Sequence, residues 1–344
     1  MTSDASPLRV WATLCKAVRV LLLISSAALL CLLGWIGGAR LRAALVEVDP
    51  RVSAANVGGR WVHAWDTQIH VQEWGDAEGK PVILVHGTGA WAGTWASNVG
   101  SMTAAGYRVV ALDLPPFGYS ALPAHGDYSR AAQAKRIVAV IDGLGKGPVT
   151  LLGHSFGGGP ALEVAIQAPE RVAHLILVDA AIGLQTSSPS ACDAGSWVKS
   201  VLGWRPLRTA LVTGFATEPV FSQFLLRQFV ARKEAVTTER TSIYQEPFHS
   251  VDFSAGLGDW GYAFATGCES PASSRPEAVR NLRIPVSMIW GEADTITPMV
   301  QAMDLKGLMP QSTLLVLPGV GHIPHIEDIA AFNQALIKVL GSAR

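Results

Sequence analysis

Residues 149–166, VTLLGHSFGGGPALEVAI, hold the stretch on which the fold turns. The first four residues are a continuous apolar run, the pattern of a strand buried on both faces. From Gly158 onward the apolar residues recur at helical spacing. Between the two lies Gly153-His154-Ser155-Phe156-Gly157. A Gly-x-Ser-x-Gly match is weak by itself; the order strand, motif, helix is what gives it meaning. A turn that sharp strains the backbone at the serine. The flanking glycines let the helix pack closely on the strand, and the hydroxyl projects above the sheet edge. The helix N-terminus behind it favours developing negative charge. The competing account is a glycine-rich turn with an idle serine.

Similar runs recur on both sides: 81–85 (PVILV), 108–112 (RVVAL), 174–178 (HLILV), 286–290 (VSMIW) and 313–317 (TLLVL). Helical stretches at 129–144 and 158–168 fall between them. The alternation implies βαβ units and a mostly parallel sheet with helices on both faces. Residues 60–66 and 68–74 read as two more strands around a turn. From about 185 to 280 the alternation stops. Trp197, Trp204, Phe215, Phe221, Phe224, Phe229, Tyr244, Phe248, Trp260, Tyr262 and Phe264 then come at irregular helical spacing, which reads as a helical insertion. Ser and Pro at 186–190 and 271–276 mark its hinges.

A serine hydroxyl needs a base to become a nucleophile. His322 follows the run 313–317 in LPGVGH, where a loop histidine would reach the serine. His325 is the competitor, three residues on, where the last helix begins. The two as a metal pair lack a third ligand cluster. The base needs an orienting carboxylate, and Asp294 in WGEAD follows the run 286–290. Glu292 and Asp179 are alternatives, and Asp294 could instead cap a helix ahead of Thr297-Pro298. Ser155, Asp294, His322 is the chain order of one known triad class. Two backbone N–H groups must also face the oxyanion. Phe156 is expected to supply one and Thr88, in the loop His86-Gly87-Thr88-Gly89, the other.

The balance of 27 Lys+Arg against 27 Asp+Glu argues against a nucleic-acid binder that works by neutralising phosphates. With 49% hydrophobic and 16% charged residues the chain is far too apolar to be disordered. Its cysteines, at 15, 31, 192 and 268, form no Cys-x-x-Cys pair, which disfavours a zinc ribbon or dithiol redox motif. Cys192 and Cys268 are candidates for a disulfide if the domain is extracytoplasmic, and buried free thiols otherwise. No metal or organic cofactor is expected.

Residues 20–39 carry no charge and are bracketed by Arg19 and Arg40. At about 1.5 Å per residue such a helix spans about 30 Å, the hydrocarbon thickness of a bilayer. A transmembrane anchor is the first reading, with residues 1–19 as a tail on one side. A cleaved signal peptide, with secretion, is the second, though its apolar region is usually shorter. A buried helix is the third. The basic residues flanking the run balance, so its orientation is open.

The segments PVILVHGTG, RVVALDLPPFGYS, VTLLGHSFGG, PERVAHLILVDAA, WGEADTITP and LPGVGHIPHIED together resemble the α/β-hydrolase fold superfamily. They are similar to its branch of proline iminopeptidase-like peptidases, carbon–carbon bond hydrolases, haloperoxidase-like esterases and epoxide hydrolases. The likeness runs from about residue 60 to the C-terminus. It implies an α/β domain over 55–344, an eight-stranded sheet, a nucleophile elbow after the fifth strand and a cap at about 185–280. Epoxide hydrolases and haloalkane dehalogenases of the family carry Asp at the elbow, so Ser155 disfavours both chemistries. Pro116 departs from the Asp-x-Pro-Gly-x-Gly loop, which usually has Gly there.

The expectation is a membrane-anchored serine hydrolase acting on an ester or related acyl bond of a small, hydrophobic molecule. An aminopeptidase is the alternative, which would need inward-facing carboxylates among Glu234, Glu239, Glu246, Asp252 and Asp259. A non-catalytic ligand-binding protein on the same scaffold is the other.

Overall fold

Eight strands form one sheet in the order β1-β2-β4-β3-β5-β6-β7-β8. They are β1 Arg60–Ala64, β2 Thr67–Trp74, β3 Lys80–Val85, β4 Tyr107–Leu112, β5 Val149–His154, β6 Val172–Val178, β7 Val286–Gly291 and β8 Thr313–Leu317. β1 and β2 are antiparallel to their neighbours; the other six run parallel. This is a computed structural model that describes residues 7–145, 147–184, 196–267 and 270–342. Cys192, Cys268 and Trp197's side chain lie outside what it describes.

The continuous apolar runs have a direct cause. Ile83 and Val85 enter one apolar cluster with Leu112, Leu151 and Trp290, while Val82 and Leu84 enter another with Leu152, Ile176 and Phe332. Alternate residues of one strand thus feed opposite faces, and both faces are buried. Ser129 caps the helix Arg130–Gly143 by accepting from the Ala132 N–H at 3.1 Å, the role expected of serine there.

Register brings the strand ends level. His154 lies opposite Val178, Val178 opposite Ile289, and Gly291 opposite Leu317. Whatever follows β5, β6, β7 and β8 therefore emerges along one sheet edge.

Between β6 and β7 the chain makes a helical excursion: Ser196–Gly203, Arg205–Leu211, a π-helical turn Val212–Ala216, then Pro219–Phe229, Thr238–Gln245 and Phe253–Thr266. It returns to β7 through Pro276–Arg280.

The N-terminal helix runs Pro7–Val46, longer at both ends than the apolar run. Leu41, Ala43, Ala44 and Leu45 are strong helix formers and carry it past Arg40. Its apolar window is not buried in the protein, which removes the buried-helix reading, and it is long and apolar enough to cross a membrane. The last turns lean on the excursion. Trp35 Nε1–H donates to the Gly214 carbonyl at 2.8 Å, the Trp35 ring meets Phe221 edge-on at 6.0 Å, and Arg42 pairs with Glu218 at 3.6 Å. Beyond it Val48 pairs with Ser250, and Ala54 is buried, so packing starts ahead of residue 55.

Candidate active site

Ser155 follows β5 with φ +48, a left-handed conformation that a non-glycine residue adopts only under constraint. The constraint is steric and comes from the glycines. A Cβ at Gly153 would sit 2.6 Å from the Gly157 carbonyl oxygen, one at Gly157 2.5 Å from that of His86, and one at Gly158 2.4 Å from the Ala180 methyl. The elbow and the start of the helix Gly158–Gln167 can pack this closely on β5 and on the chain just after β3 and β6 only because all three lack side chains.

The structure brings Ser155, His322 and Asp294 together. Ser155 Oγ lies 2.7 Å from His322 Nε2, and His322 Nδ1 lies 2.8 Å from Asp294 Oδ2. All are buried, with 8% of Ser155 still exposed. Asp294 is also tied into its own turn: Oδ1 accepts the N–H groups of Ile296 at 2.7 Å and Thr297 at 3.0 Å, and Oδ2 accepts the Thr297 hydroxyl at 2.6 Å. The helix-cap alternative weighed for Asp294 does not hold: the next helix, Met299–Leu308, starts after Pro298 with no side-chain cap, and the N–H groups that Asp294 holds lie in the turn ahead of it. Burial pushes this carboxyl up, but the bonds from His322, Thr297 and Ile296 outweigh it and hold it below the usual Asp range. A carboxylate kept ionised against an imidazole, itself against a hydroxyl, can orient the ring and accept charge on it when the hydroxyl gives up its proton.

The two alternative carboxylates sit elsewhere in this arrangement. Glu292 accepts the Gly319 N–H at 3.0 Å on the exposed side. Asp179, fully buried with φ +41, holds the Gly291 N–H at 2.8 Å through Oδ1. Its oxygens, those of Asp294 and a His322 nitrogen approach within 4.8 Å of one another. Burial, then the charge of Asp294, push the Asp179 carboxyl well above the usual range. These three residues are the one cluster of metal-ligand types among those described, but His322 and Asp294 are bonded to each other and Asp179 to a backbone N–H, an arrangement that suits proton sharing.

His325 does not reach the serine. It is buried, stacked on Trp95 at 4.3 Å, and edge-on to His154 at 4.7 Å. His154 Nε2–H donates to the His322 carbonyl at 2.8 Å, so the residue beside the nucleophile also fixes the backbone of the histidine. Burial, with His322 nearby, pushes His154 down to about 3, which keeps it neutral.

The loop 86–89 runs against the elbow: a Cβ on Gly87 would lie 3.0 Å from Ser155 Cβ. His86 Nε2 accepts the Leu114 N–H at 3.0 Å and so ties this loop to the one after β4. Thr88 lies in that loop, and Phe156 in the 3₁₀ turn Ser155–Gly157. The turn carrying Pro116 contains a cis Pro115–Pro116 peptide and closes on Asp113, whose Oδ2 accepts the Tyr119 N–H at 3.0 Å.

Apolar rings surround these groups. Phe156 meets Phe117 at 5.8 Å and Trp260 at 5.5 Å, and Phe229 lies 5.9 Å from the His322 ring. Sequence reasoning missed Thr297, Glu327 and His154. For Thr297 a signal exists: an Asp in a turn bonds the N–H groups two and three residues on, which brings a Thr at the second of these against the carboxylate. Glu327 accepts the N–H groups of Gly321 at 2.9 Å, Ala231 at 3.1 Å and Arg232 at 2.9 Å, which clamps the His322 loop to the excursion. No local pattern announces that.

Comparison with known proteins gives relatives of the same kind. A family model described as the alpha/beta hydrolase fold matches residues 80–329. A 2-hydroxymuconate semialdehyde hydrolase of Pseudomonas sp. (strain CF600) is 31% identical over 270 residues, covering 77% of this chain and 88% of that one. A 2-hydroxy-6-oxo-6-phenylhexa-2,4-dienoate hydrolase of Burkholderia cepacia is 26% identical over 281 residues, 80% of this chain and 92% of the other. Among solved structures, a membrane phospholipase A matches with a TM-score of 0.66 and 21% identity, the alignment covering 97% of this chain and 99% of that one.

Proposed function

The chain belongs to the alpha/beta hydrolase fold family, and from that premise we propose that it is a membrane-anchored serine hydrolase of a neutral, hydrophobic ester. The observation that carries this is the continuous relay Ser155 Oγ–His322–Asp294, at 2.7 and 2.8 Å. Ser155 attacks the acyl carbonyl while His322 Nε2 takes its proton. The carbonyl oxygen, now negative, is held by the main-chain N–H groups of Phe156 and Thr88; each such donor contributes about 3 kcal/mol. Collapse expels the alcohol, protonated by His322, and leaves an acyl-enzyme. Water, deprotonated by His322, then releases the acid. Asp294 holds the imidazole in the right tautomer throughout. No cofactor enters.

The helical excursion forms the cap. Phe117, Phe156, Trp260 and Phe229, which ring the relay, are uncharged and suit an apolar substrate. The aminopeptidase alternative finds little support. Asp259 is neutralised by Arg205 and Arg208, and Glu234, Glu239, Glu246 and Asp252 are exposed. Residues 20–39 serve as the anchor.

Carbon–carbon bond cleavage is the second reading, favoured by relatives named for dienoate and semialdehyde substrates. It uses the same serine, base and oxyanion donors. A dienoate carries a carboxylate, for which the uncharged ring of side chains offers no partner.

The test is turnover of p-nitrophenyl esters, a 2-hydroxy-6-oxo-dienoate and an aminoacyl anilide, with fluorophosphonate labelling of wild type and Ser155→Ala. Ester turnover and labelling, both lost in the variant, are expected. Dienoate turnover alone favours the second reading. Neither turnover nor labelling leaves a ligand-binding protein.

A further inference from the structure

We propose that the lipid bilayer covers one face of the excursion: the side of the helix Pro219–Phe229 that carries Val220, Phe221, Phe224 and Leu225 rests in the membrane interface beside the N-terminal helix. This rests on residues 20–39 being the anchor, and the contacts then set the depth. If that run crosses the hydrocarbon, its last turn, Trp35 to Ala39, lies within about 6 Å of the hydrocarbon edge. That turn is where the excursion docks. Trp35 donates to the Gly214 carbonyl, a Cβ on Gly214 would lie 3.4 Å from Ile36, and Phe221 meets the Trp35 ring. Residues 214–221 are thereby held at the depth of the headgroups and outer acyl carbons.

The side chains exposed at that depth have the matching chemistry. Val220 is 73% exposed, Phe224 59%, Leu225 44% and Phe221 37%. Spacings of four, Val220 to Phe224 and Phe221 to Leu225, place them in one stripe. Exposed aromatic rings collect on the excursion, at Trp204, Phe221, Phe224 and Phe264, whereas the α/β body exposes Trp65. Trp is enriched where a membrane meets water, Phe and Leu line the apolar face of helices that lie in that interface, and an apolar patch continuous with an apolar helix needs a cover. Glu218, the acid at the start of this helix, is paired with Arg42.

The same helix leads to the relay. At its far end the Phe229 carbonyl accepts the His322 N–H at 3.0 Å, and eleven helical residues cover only about 16 Å. The substrate class that follows is an ester dissolved in the bilayer, which enters without crossing water.

Full-length chains with a single cysteine test this, the other native cysteines being changed to Ser. Each carries the NBD fluorophore and is reconstituted in phosphatidylcholine–phosphatidylglycerol vesicles with or without doxyl-labelled lipid. Native Cys31 reports on the anchor and Phe224→Cys on the stripe. Gln311→Cys, exposed just ahead of β8 and so at the opposite sheet edge, is the control. Retained fluorophosphonate labelling of Ser155 shows that each chain is folded. The expected result is blue-shifted, lipid-quenched emission at 31 and 224, and neither at 311. Quenching at 31 without quenching at 224 overturns the bilayer face and leaves the anchor standing. Quenching at neither removes the anchor and the face together. In a second measurement Phe224→Ser with Leu225→Ser lowers hydrolysis of a long-chain ester in vesicles about tenfold and leaves a soluble butyrate ester unchanged. Equal loss on both, or on neither, overturns the bilayer-dissolved substrate.

Discussion

The carboxyl groups of Asp179 and Asp294 lie side by side in the interior, one directly after β6 and the other in the turn after β7, and burial raises both, yet their net shifts are opposite. Asp294 is held below the usual range by its hydrogen bonds. Asp179 is pushed well above it, first by burial and then by Asp294's charge. Each ionised carboxylate disfavours the other, so the shared charge settles toward Asp294 and the proton toward Asp179.

The sign of the resulting pH dependence is fixed. Folded Asp179 keeps a proton that the unfolded chain releases above the ordinary Asp range, so its contribution to stability falls as pH rises toward its folded value. Asp179→Asn keeps the acceptor for Gly291 N–H and carries no proton to lose. It is predicted to keep activity within about threefold of wild type and to gain relative stability as pH rises from 5 to 8. Asp179→Leu strands the Gly291 N–H and loses about 1–3 kcal/mol. Urea denaturation across that pH range checks both; an Asn variant as damaged as the Leu variant would refute the neutral-acid assignment.

Thr297 is predicted to act through Asp294. Thr297→Val removes the 2.6 Å hydroxyl bond to Oδ2 with little change of shape. Loss of about 1 kcal/mol is expected in stability and roughly tenfold in kcat. The carboxylate part of the stability loss has the sign of a depressed acid: present at neutral pH, and lost as pH falls through the folded value of Asp294. Melting measured at neutral and acid pH reads it, and a difference that grows on acidification contradicts the assignment.

Strand identity and triad order were legible because both are local: an apolar run declares a doubly buried strand, and the residues after each run are candidates for one edge. What Asp179 does was not legible. Its neighbour depends on β6 pairing with β7 in the register that sets Val178 against Ile289, and pairing leaves no mark in either segment. The same holds for Trp35 on Gly214 and Glu327 on residues 231 and 232, contacts across more than 90 positions. The helices of the excursion were blurred for another reason. They bury rings against several partners, so their apolar residues do not keep one 3.6 period.

One substitution at two glycines should give opposite results. A methyl at Gly157 meets the His86 carbonyl oxygen at 2.5 Å, in backbone that cannot swing aside. Gly157→Ala is predicted to cost about 2–4 kcal/mol and to abolish fluorophosphonate labelling. Gly261, within the helix Phe253–Thr266, has nothing within 4 Å of the added carbon. Gly261→Ala should stabilise by about 0.4–1 kcal/mol, since it only restricts the unfolded chain. Thermal melts of the two variants decide, and a stable, labelled Gly157→Ala would mean that the elbow is looser than its contacts imply.

Glu327 is predicted to couple the excursion to the base. Its carboxylate accepts from Gly321, the residue before His322, and from Ala231 and Arg232. Arg232 in turn reaches Asp328 at 2.7 Å and the Pro318 carbonyl at 3.2 Å. Removing a buried acceptor of several N–H groups costs about 1–3 kcal/mol per stranded donor, so Glu327→Ala should be destabilised by several kcal/mol. Glu327→Gln is the informative variant. Oε1 takes the Gly321, Arg232 and Ala231 N–H groups together, so an amide oxygen in that place keeps them, while the NH₂ that replaces Oε2 faces the Ala231 N–H; the loop stays folded and its tie to the excursion loosens at Ala231 alone. The expected outcome is a kcat loss of about tenfold with labelling by a small fluorophosphonate nearly unchanged. A Glu327→Gln chain with wild-type kcat would show that the clamp serves folding alone.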